Sequence, residues 1–354
     1  MAYTTINKQS AHFKTKLYTG TGSSNAQTGV GFQPDFTWIK SRDSSSYNNM
    51  LFDAVRGATK YVKSDATSAE NTLAQSLKSF DTDGFTVGTE ADVNNNNTSY
   101  VAWNWKAGNS SGSSNSDGSI TSTVSVNTTA KFSVVKYTGT GSNATVGHGL
   151  GVVPKVIIFK VLGSSTDWVV YHNSIGNTGA LRLNNTNTTQ TNSVFFQDTT
   201  PTSSVFYMGT GTDLNTSSQE VIAYCFSDVT GFSKFGKFTS KGDDDGVFVN
   251  TGFAPELVML KPLVTDSWSN WYVFDNVRRD YNLNDKPLYW NLATRESYYG
   301  GSPSSNYAQI DILSNGFKIR RDGNWGPGGS NQASVYMAFG QTLVGSNNVP
   351  VTAR

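Results

Sequence analysis

The 354-residue sequence predicts an all-β fold: tandem antiparallel β-sandwich units, jelly-roll-like, in three related copies. Three observations carry this expectation. Short runs rich in aromatic and β-branched residues recur between Gly, Asn, Asp and Ser turns, which is the pattern of sandwiches and barrels. Aromatics reach 12% while charged residues are only 15%, so polarity rests on hydroxyl and amide side chains. Finally, one long block of sequence returns twice.

The block "FKTKLYTGTGSSNAQTGVGFQPDFTWIK" at 13–40 returns as "FSVVKYTGTGSNATVGHGLGVVPKVIIFK" at 132–160. A third, eroded copy is "FGKFTSKGDDDGVFVNTGFAPELVMLK" at 235–261. Pro34, Pro154 and Pro255 are each followed six positions later by a lysine: Lys40, Lys160 and Lys261. Further anchors keep the same order. Phe52-Asp53, Tyr171-His172 and Phe274-Asp275 come next, then the turns "DTDGFTVG", "TSSVFYMG" and "LSNGFKIR". Each copy closes on an apolar strand carrying an alanine: Ala102, Ala223 and Ala338.

The spacing of strands and turns predicts roughly seven to nine strands per unit. Only "SAENTLAQSL" at 68–77 has a helical pattern, and a short one. The expected organisation is an N-terminal arm (1–12), sandwich units at 13–106, 131–230 and 231–340, and a C-terminal tail (341–354). A Ser/Gly/Asn-rich linker occupies 107–130, with a flexible first half and an added strand in the second. The arm and tail have no counterpart in the repeats and are expected to dock on neighbouring subunits.

The glycines of "YTGTGSSNAQTGVG" suggest a phosphate loop, but the context is wrong. A dinucleotide fingerprint opens a helix, whose free N–H groups hold the pyrophosphate. Here Phe36, Trp38 and Ile39 follow Pro34 and read as a strand. The glycines are therefore expected to serve turns.

With 27 basic and 26 acidic residues, the charge balance gives no pull toward nucleic acid or an anionic membrane. No apolar stretch reaches the roughly 18 residues of a membrane span, and the N-terminus lacks the apolar core of a secretory leader. The single cysteine, Cys225, lies in the apolar run "EVIAYCFSDV" and reads as a small buried residue. No cofactor and no metal site is expected.

The most pointed motif is Asp53 with Arg56 and Asp275 with Arg278, spaced to fix a loop by a bidentate ion pair. The middle copy carries His172 and Gly176 in this motif, which argues against a chemistry shared by all copies. The three lysines after the proline strand are expected to cap sheet edges against association. Acidic turns at Asp81–Asp83 and Asp243–Asp245 lack the ligand series of an EF-hand and read as solvated hairpins. His12, His148 and His172 form no local zinc motif. Glu90, Glu220, Glu296 and Asp311 leave open a pair of carboxylates for glycoside hydrolysis. Trp103 and Trp105 share a strand face and supply core, whereas Trp268, Trp271 and Trp325 stand beside turn residues as candidate sugar-stacking platforms.

The series "YTGTGSSNAQTGVGFQPDFTWIK", "LFDAVRG", "DTDGFTVG" and "YVAWNWKAG" resembles a repeat domain of predicted tail-fibre and structural proteins of tailed, often marine, bacteriophages. The likeness runs through most of 13–340, weakening at His172 in the second copy and at "FTSKG" in the third. It implies a virion structural protein without catalytic residues, made in the host cytoplasm and released by lysis. The expected partners are other virion proteins and a host-surface glycan, in a homo-oligomer for which a trimer is the first expectation. Alternatives left open are a capsid-decoration or neck protein without glycan binding, and a polysaccharide depolymerase.

Overall fold

The computed structural model describes residues 4–6, 8–279, 282–296, 309–320 and 326–341. Strands account for 42% and helix for 6%, so the chain is all-β with antiparallel sheets. The helical turns Ala91–Asn94, Ser193–Phe196 and Thr212–Asn215 are each a single turn.

The first lobe contains β1 (Phe13–Thr19), β2 (Asn25–Gln27), β3 (Phe36–Ser41), β4 (Met50–Asp53), β5 (Lys60–Lys63), β6 (Asn71–Thr72), β7 (Leu77–Asp81), β8 (Gly84–Val87) and β9 (Ser99–Trp105). Its large sheet runs β1-β9-β3-β4-β5-β6, and its small sheet β2-β8-β7. The connection holds β10 (Ser113–Asn115) and β11 (Ser122–Asn127). The second lobe follows with β12 (Phe132–Thr138), β13 (Ala144–Gly147), β14 (Val156–Val161), β15 (Val169–His172), β16 (Gly179–Arg182), β17 (Gln190–Thr191), β18 (Val205–Met208) and β19 (Glu220–Phe226). Its sheets run β10-β11-β12-β19-β14-β15-β16-β17 and β13-β18. The third lobe has β20 (Ser233–Thr239), β21 (Phe248–Asn250), β22 (Ala254–Pro262), β23 (Tyr272–Asp275), β24 (Leu288–Tyr289), β25 (Ile310–Leu313), β26 (Gly316–Ile319) and β27 (Ala333–Gln341). These form β20-β27-β22-β23-β24 and β21-β26-β25. In every large sheet the lobe's first strand pairs with its last, which pairs with the strand after the proline loop.

Each large sheet is buried on both faces. One face packs on its own small sheet: Ile39, Phe52, Phe85, Val87 and Tyr100 form such a core in the first lobe. The other faces a centre shared by all lobes, where Trp38, Trp103, Trp105, Ile158, Tyr224, Phe226, Met259, Trp271 and Phe339 meet in one cluster. Trp38 stacks on Trp290 at 3.7 Å, and Phe36 on Tyr224 at 4.2 Å, across lobe boundaries. Such pairs add about 0.5–1.5 kcal/mol beyond their area. Two buried faces remove the alternation expected of a half-exposed strand, so every residue of β3 and of β14 is buried.

Several expectations change here. The segment 68–77 is not helical: β6 pairs with β5, and Leu73 N–H donates to Thr59 O. A helix that short is marginal in water, and the ladder offers its backbone better partners. The connection is not a flexible tether in its first half, because β10 and β11 extend the second large sheet. The arm docks on its own chain: Ile6 joins the central cluster, and Gln9 Nε2 donates to Gly231 O at 3.0 Å. The tail beyond 341 lies outside the described residues.

The alanine anchor of the third copy is displaced by two. Ala102 and Ala223 pair with Ile39 and Phe159, each one residue before the lysine, but the third-lobe residue opposite the matching Leu260 is Tyr336. Its ring takes the room that a Cβ on Gly236 would need, at 2.7 Å.

Candidate functional site

The opening glycines do bind an anion, and it belongs to the chain itself. Gly29 and Gly31 have φ of 80° and 89°, which aims their N–H groups at one point. There the Asp83 carboxylate accepts both, at 2.8 and 2.6 Å. These two backbone donors hold its pKa below the usual range. Asp81 accepts the hydroxyls of Ser79 and Thr86. The first acidic turn is thus engaged by its own lobe.

Asp53 and Arg56 meet as expected, with Arg56 Nε donating to Asp53 Oδ2 at 2.5 Å and both side chains at most 1% exposed. Arg278 Nε donates to Asp275 Oδ2 at 2.6 Å in the same way. Burial, the largest single influence, opposes the Arg56 charge, but Asp53, Tyr224 and Glu70 together outweigh it and raise the pKa. In the middle lobe the position three after His172 is Ile175, not Gly176; Gly176 matches Gly57, with φ of 95° and 98°. Sequence spacing alone placed that glycine one residue early.

These motifs also join lobes. Tyr224 OH donates to Asp53 Oδ2 at 2.8 Å, linking second lobe to first. Trp103 Nε1 donates to Asp275 Oδ2 at 3.2 Å, linking first to third. His172 Nε2 donates to Tyr336 O at 3.3 Å, linking second to third. The cycle of contacts closes on itself.

Lys40, Lys160 and Lys261 are each 0% exposed, so none caps a sheet edge. They continue the parity of Phe36 and Trp38, Val156 and Ile158, and Leu257 and Met259, which points them into the shared centre. Each reaches a backbone carbonyl of another lobe: Leu292 O from Lys40 at 2.7 Å, Thr67 O from Lys160 at 2.9 Å, and Asn185 O from Lys261 at 3.4 Å. Burial pulls their pKa values down, to about 7, 8 and 7. The residue just before the fourth strand of each lobe closes the same boundaries. Asn49 Nδ2, Trp168 Nε1 and Trp271 Nε1 donate to Tyr289 O, Lys63 O and Arg182 O at 3.0, 2.9 and 2.8 Å.

Trp271 is therefore core, 1% exposed, and presents no stacking face. Trp268 is half-buried, its backbone N–H on Asp266 Oδ1 at 2.8 Å. Trp325 lies outside the described residues. The carboxylates considered for hydrolysis are engaged separately: Glu220 with Lys136, Glu296 with Arg42, and Asp311 with Arg320. Cys225 is buried, and burial pushes its thiol up.

A polar cleft of about 380 Å³ opens on the third lobe, lined by Asp244, Asn282, Leu283, Gln309, Asp311 and Arg320. Arg320 stands between two carboxylates, Asp311 at 3.2 Å and Asp245 at 3.4 Å, and Lys318 also pairs with Asp245. Lys318 and Arg320 hold the Asp245 pKa down. The acidic turn is thus ion-paired, and no group of three metal-binding side chains occurs among the described residues.

The sequence pattern of a domain of unknown function, DUF7483, matches residues 8–342, a span that includes all three lobes. This chain belongs to the DUF7483 family. No curated protein and no solved structure matches it. No described helix of this DUF7483 chain is long and apolar enough to cross a membrane.

Sequence reading missed the lobe-joining residues of the DUF7483 fold: Asn49, Trp168 and Tyr224. The signal was present but different in kind at each copy. Asn49, Trp168 and Trp271 share a position yet not a chemistry, and only their common task of donating to a carbonyl reveals the equivalence. A second missed pair is Asn94 and Asn215. Each accepts a loop N–H (Thr21, Thr140) and donates to two carbonyls, clamping the first hairpin of its lobe.

Proposed function

We propose that this chain is a non-enzymatic structural protein of a bacteriophage virion, carried on the tail as a fibre or appendage and contacting host-surface glycans. Its lobes are read as three related copies of one sandwich unit, with boundaries near 13–106, 131–230 and 231–340. The observation that carries this reading is the closed cycle of buried contacts through Asp53, His172 and Asp275. Groups that elsewhere supply catalysis are here consumed in joining lobes. Such a body is a rigid platform, and the polar cleft on its third lobe is the surface assigned to the glycan. Repeated display on a particle compensates for weak individual contacts.

The cyclic arrangement favours a second reading, a capsid-decoration or neck protein. Three similar lobes present three similar surfaces, which suits a partner of threefold symmetry. A homo-oligomer remains part of the proposal, although one chain already supplies three lobes.

Cryo-electron microscopy of intact virions tests the choice. Density for this chain on the tail, with the third lobe facing outward, supports the attachment role. Contact with capsid lattice alone, with no outward surface, overturns it in favour of decoration. Release of oligosaccharide from host envelope polysaccharide by the purified chain would overturn the non-enzymatic reading.

A further inference from the structure

Lys40 and Asn49 are cross-strand neighbours on β3 and beside β4, both 0% exposed. Lys40 Nζ lies 2.7 Å from Asn49 Oδ1. Asn49 Nδ2 faces the carbonyls of Tyr289, Trp290 and Leu292 at 3.0, 2.9 and 3.3 Å, which fixes the carboxamide with its oxygen toward the lysine. Asp65 Oδ1 accepts the backbone N–H of Asn49 at 3.2 Å.

The other lobes show what is unusual about this arrangement. The residue before the fourth strand is Trp168 in the second and Trp271 in the third, and its N–H is accepted by Asn184 and Asn291. Lys160 and Lys261 donate to Thr166 O and Ser269 O in their own lobes, rather than to a side-chain carboxamide. The first lobe alone replaces the Trp–Asn pair by Asn–Asp. That change puts an amine against a carboxamide in the core, with a half-buried carboxyl group on the backbone N–H of the same asparagine.

We propose that Lys40 and Asn49 form an intramolecular isopeptide bond, with Asp65 as the proton carrier. The Nζ lone pair attacks Cγ of Asn49, and the new C–N bond gives a tetrahedral centre. One proton passes from Nζ to Nδ2, relayed in this proposal by the Asp65 carboxyl group that stands on the Asn49 backbone N–H. The Cγ–Nδ2 bond then breaks, and ammonia leaves toward the three carbonyls that already accept from that nitrogen. Amine plus carboxamide gives secondary amide plus ammonia, so atoms balance and no oxidant or further reactant is needed. Burial supports the reaction from both sides: it lowers the Lys40 pKa to about 7, which makes the free amine available, and it raises that of Asp65 against the opposing Lys40 charge. Holding the groups in contact converts a slow bimolecular aminolysis into a unimolecular step. The product also removes a buried charge.

Intact-mass spectrometry of the purified full-length chain, followed by tryptic mapping, tests this. The expected result is a mass lower than the sequence mass by one ammonia, and a branched peptide joining 17–42 to 43–56 through Lys40 and Asn49. Asp65→Asn installs the residue that stands at this place in the other lobes. It should fold, keep the full mass and yield only linear peptides. A wild-type chain of full mass with linear peptides overturns the bond. Ammonia loss without the branched peptide also overturns it, because cyclisation of an asparagine onto its own backbone loses the same mass. A branched peptide undiminished in Asp65→Asn overturns the role of Asp65.

Discussion

The hydroxyl of Tyr224 donates to Asp53 Oδ2 at 2.8 Å, so an ion pair that looks local in sequence is completed from the next lobe. The Arg56 guanidinium meanwhile donates to Leu51 O and stands 3.2 Å from Glu70. A buried ion pair contributes little net stability when intact, but one partner left alone costs about 3–5 kcal/mol. Asp53→Ala should lower unfolding free energy by that amount in urea denaturation, and Asp275→Ala should do the same. Tyr224→Phe leaves the ion pair in place and should cost only about 1 kcal/mol. Equal losses from Asp53→Ala and Tyr224→Phe would contradict this division.

His172 is buried and neutral, its pKa lowered by burial from 6.5 to about 4. The unfolded chain therefore takes up this proton first as pH falls. The contribution of His172 is fully present above pH 6.5 and is lost progressively down to about pH 4, by about 3 kcal/mol. His172→Gln should show a shallower decline than wild type across that window. Parallel curves from pH 7 to 4 would exclude the assignment.

Lys261 works in the alkaline range. Its pKa falls through burial from 10.5 to about 7, so the unfolded state holds the proton more tightly. Stability should rise as pH increases above 7, by roughly 1 kcal/mol per pH unit from this residue. The readable window ends near pH 9.5, where buried tyrosines with raised pKa values, such as Tyr137 and Tyr224, begin to act in the opposite direction. Lys261→Met should flatten the rise, and an unchanged slope would show that the lysine is not desolvated.

Gly236 and Tyr336 form a small-to-large pair where the second lobe has Val135 opposite Ala223. Gly236→Val should cost about 1–3 kcal/mol, because its Cβ meets the Tyr336 ring. Adding Tyr336→Ala recreates the second-lobe pair, so the double variant should be more stable than the sum of the single losses. Strict additivity in thermal denaturation would argue against direct contact.

The all-β class and the ion pairs were legible because they depend on local pattern. Turn residues punctuate the chain, and Arg stands three positions after Asp in both FD-x-VR segments. The lysines were misread for a physical reason. A lysine closing an apolar run normally marks an edge, and its burial here is made tolerable by oxygen acceptors from its own lobe and from the next. Trp271 was misread likewise, since flanking turn residues say nothing about Arg182 O, far away in sequence, waiting for its indole N–H.

The sequence by itself determined the all-β class and the glycines at turns, because backbone conformation and side-chain parity are written residue by residue. Only the tertiary structure decided that the large sheets bury both faces around one centre. It also decided that Lys40 meets Asn49 there, with Asp65 on the Asn49 backbone N–H. Those contacts join residues of different strands and lobes, and their energetics depend on the exclusion of water, which no single segment can encode.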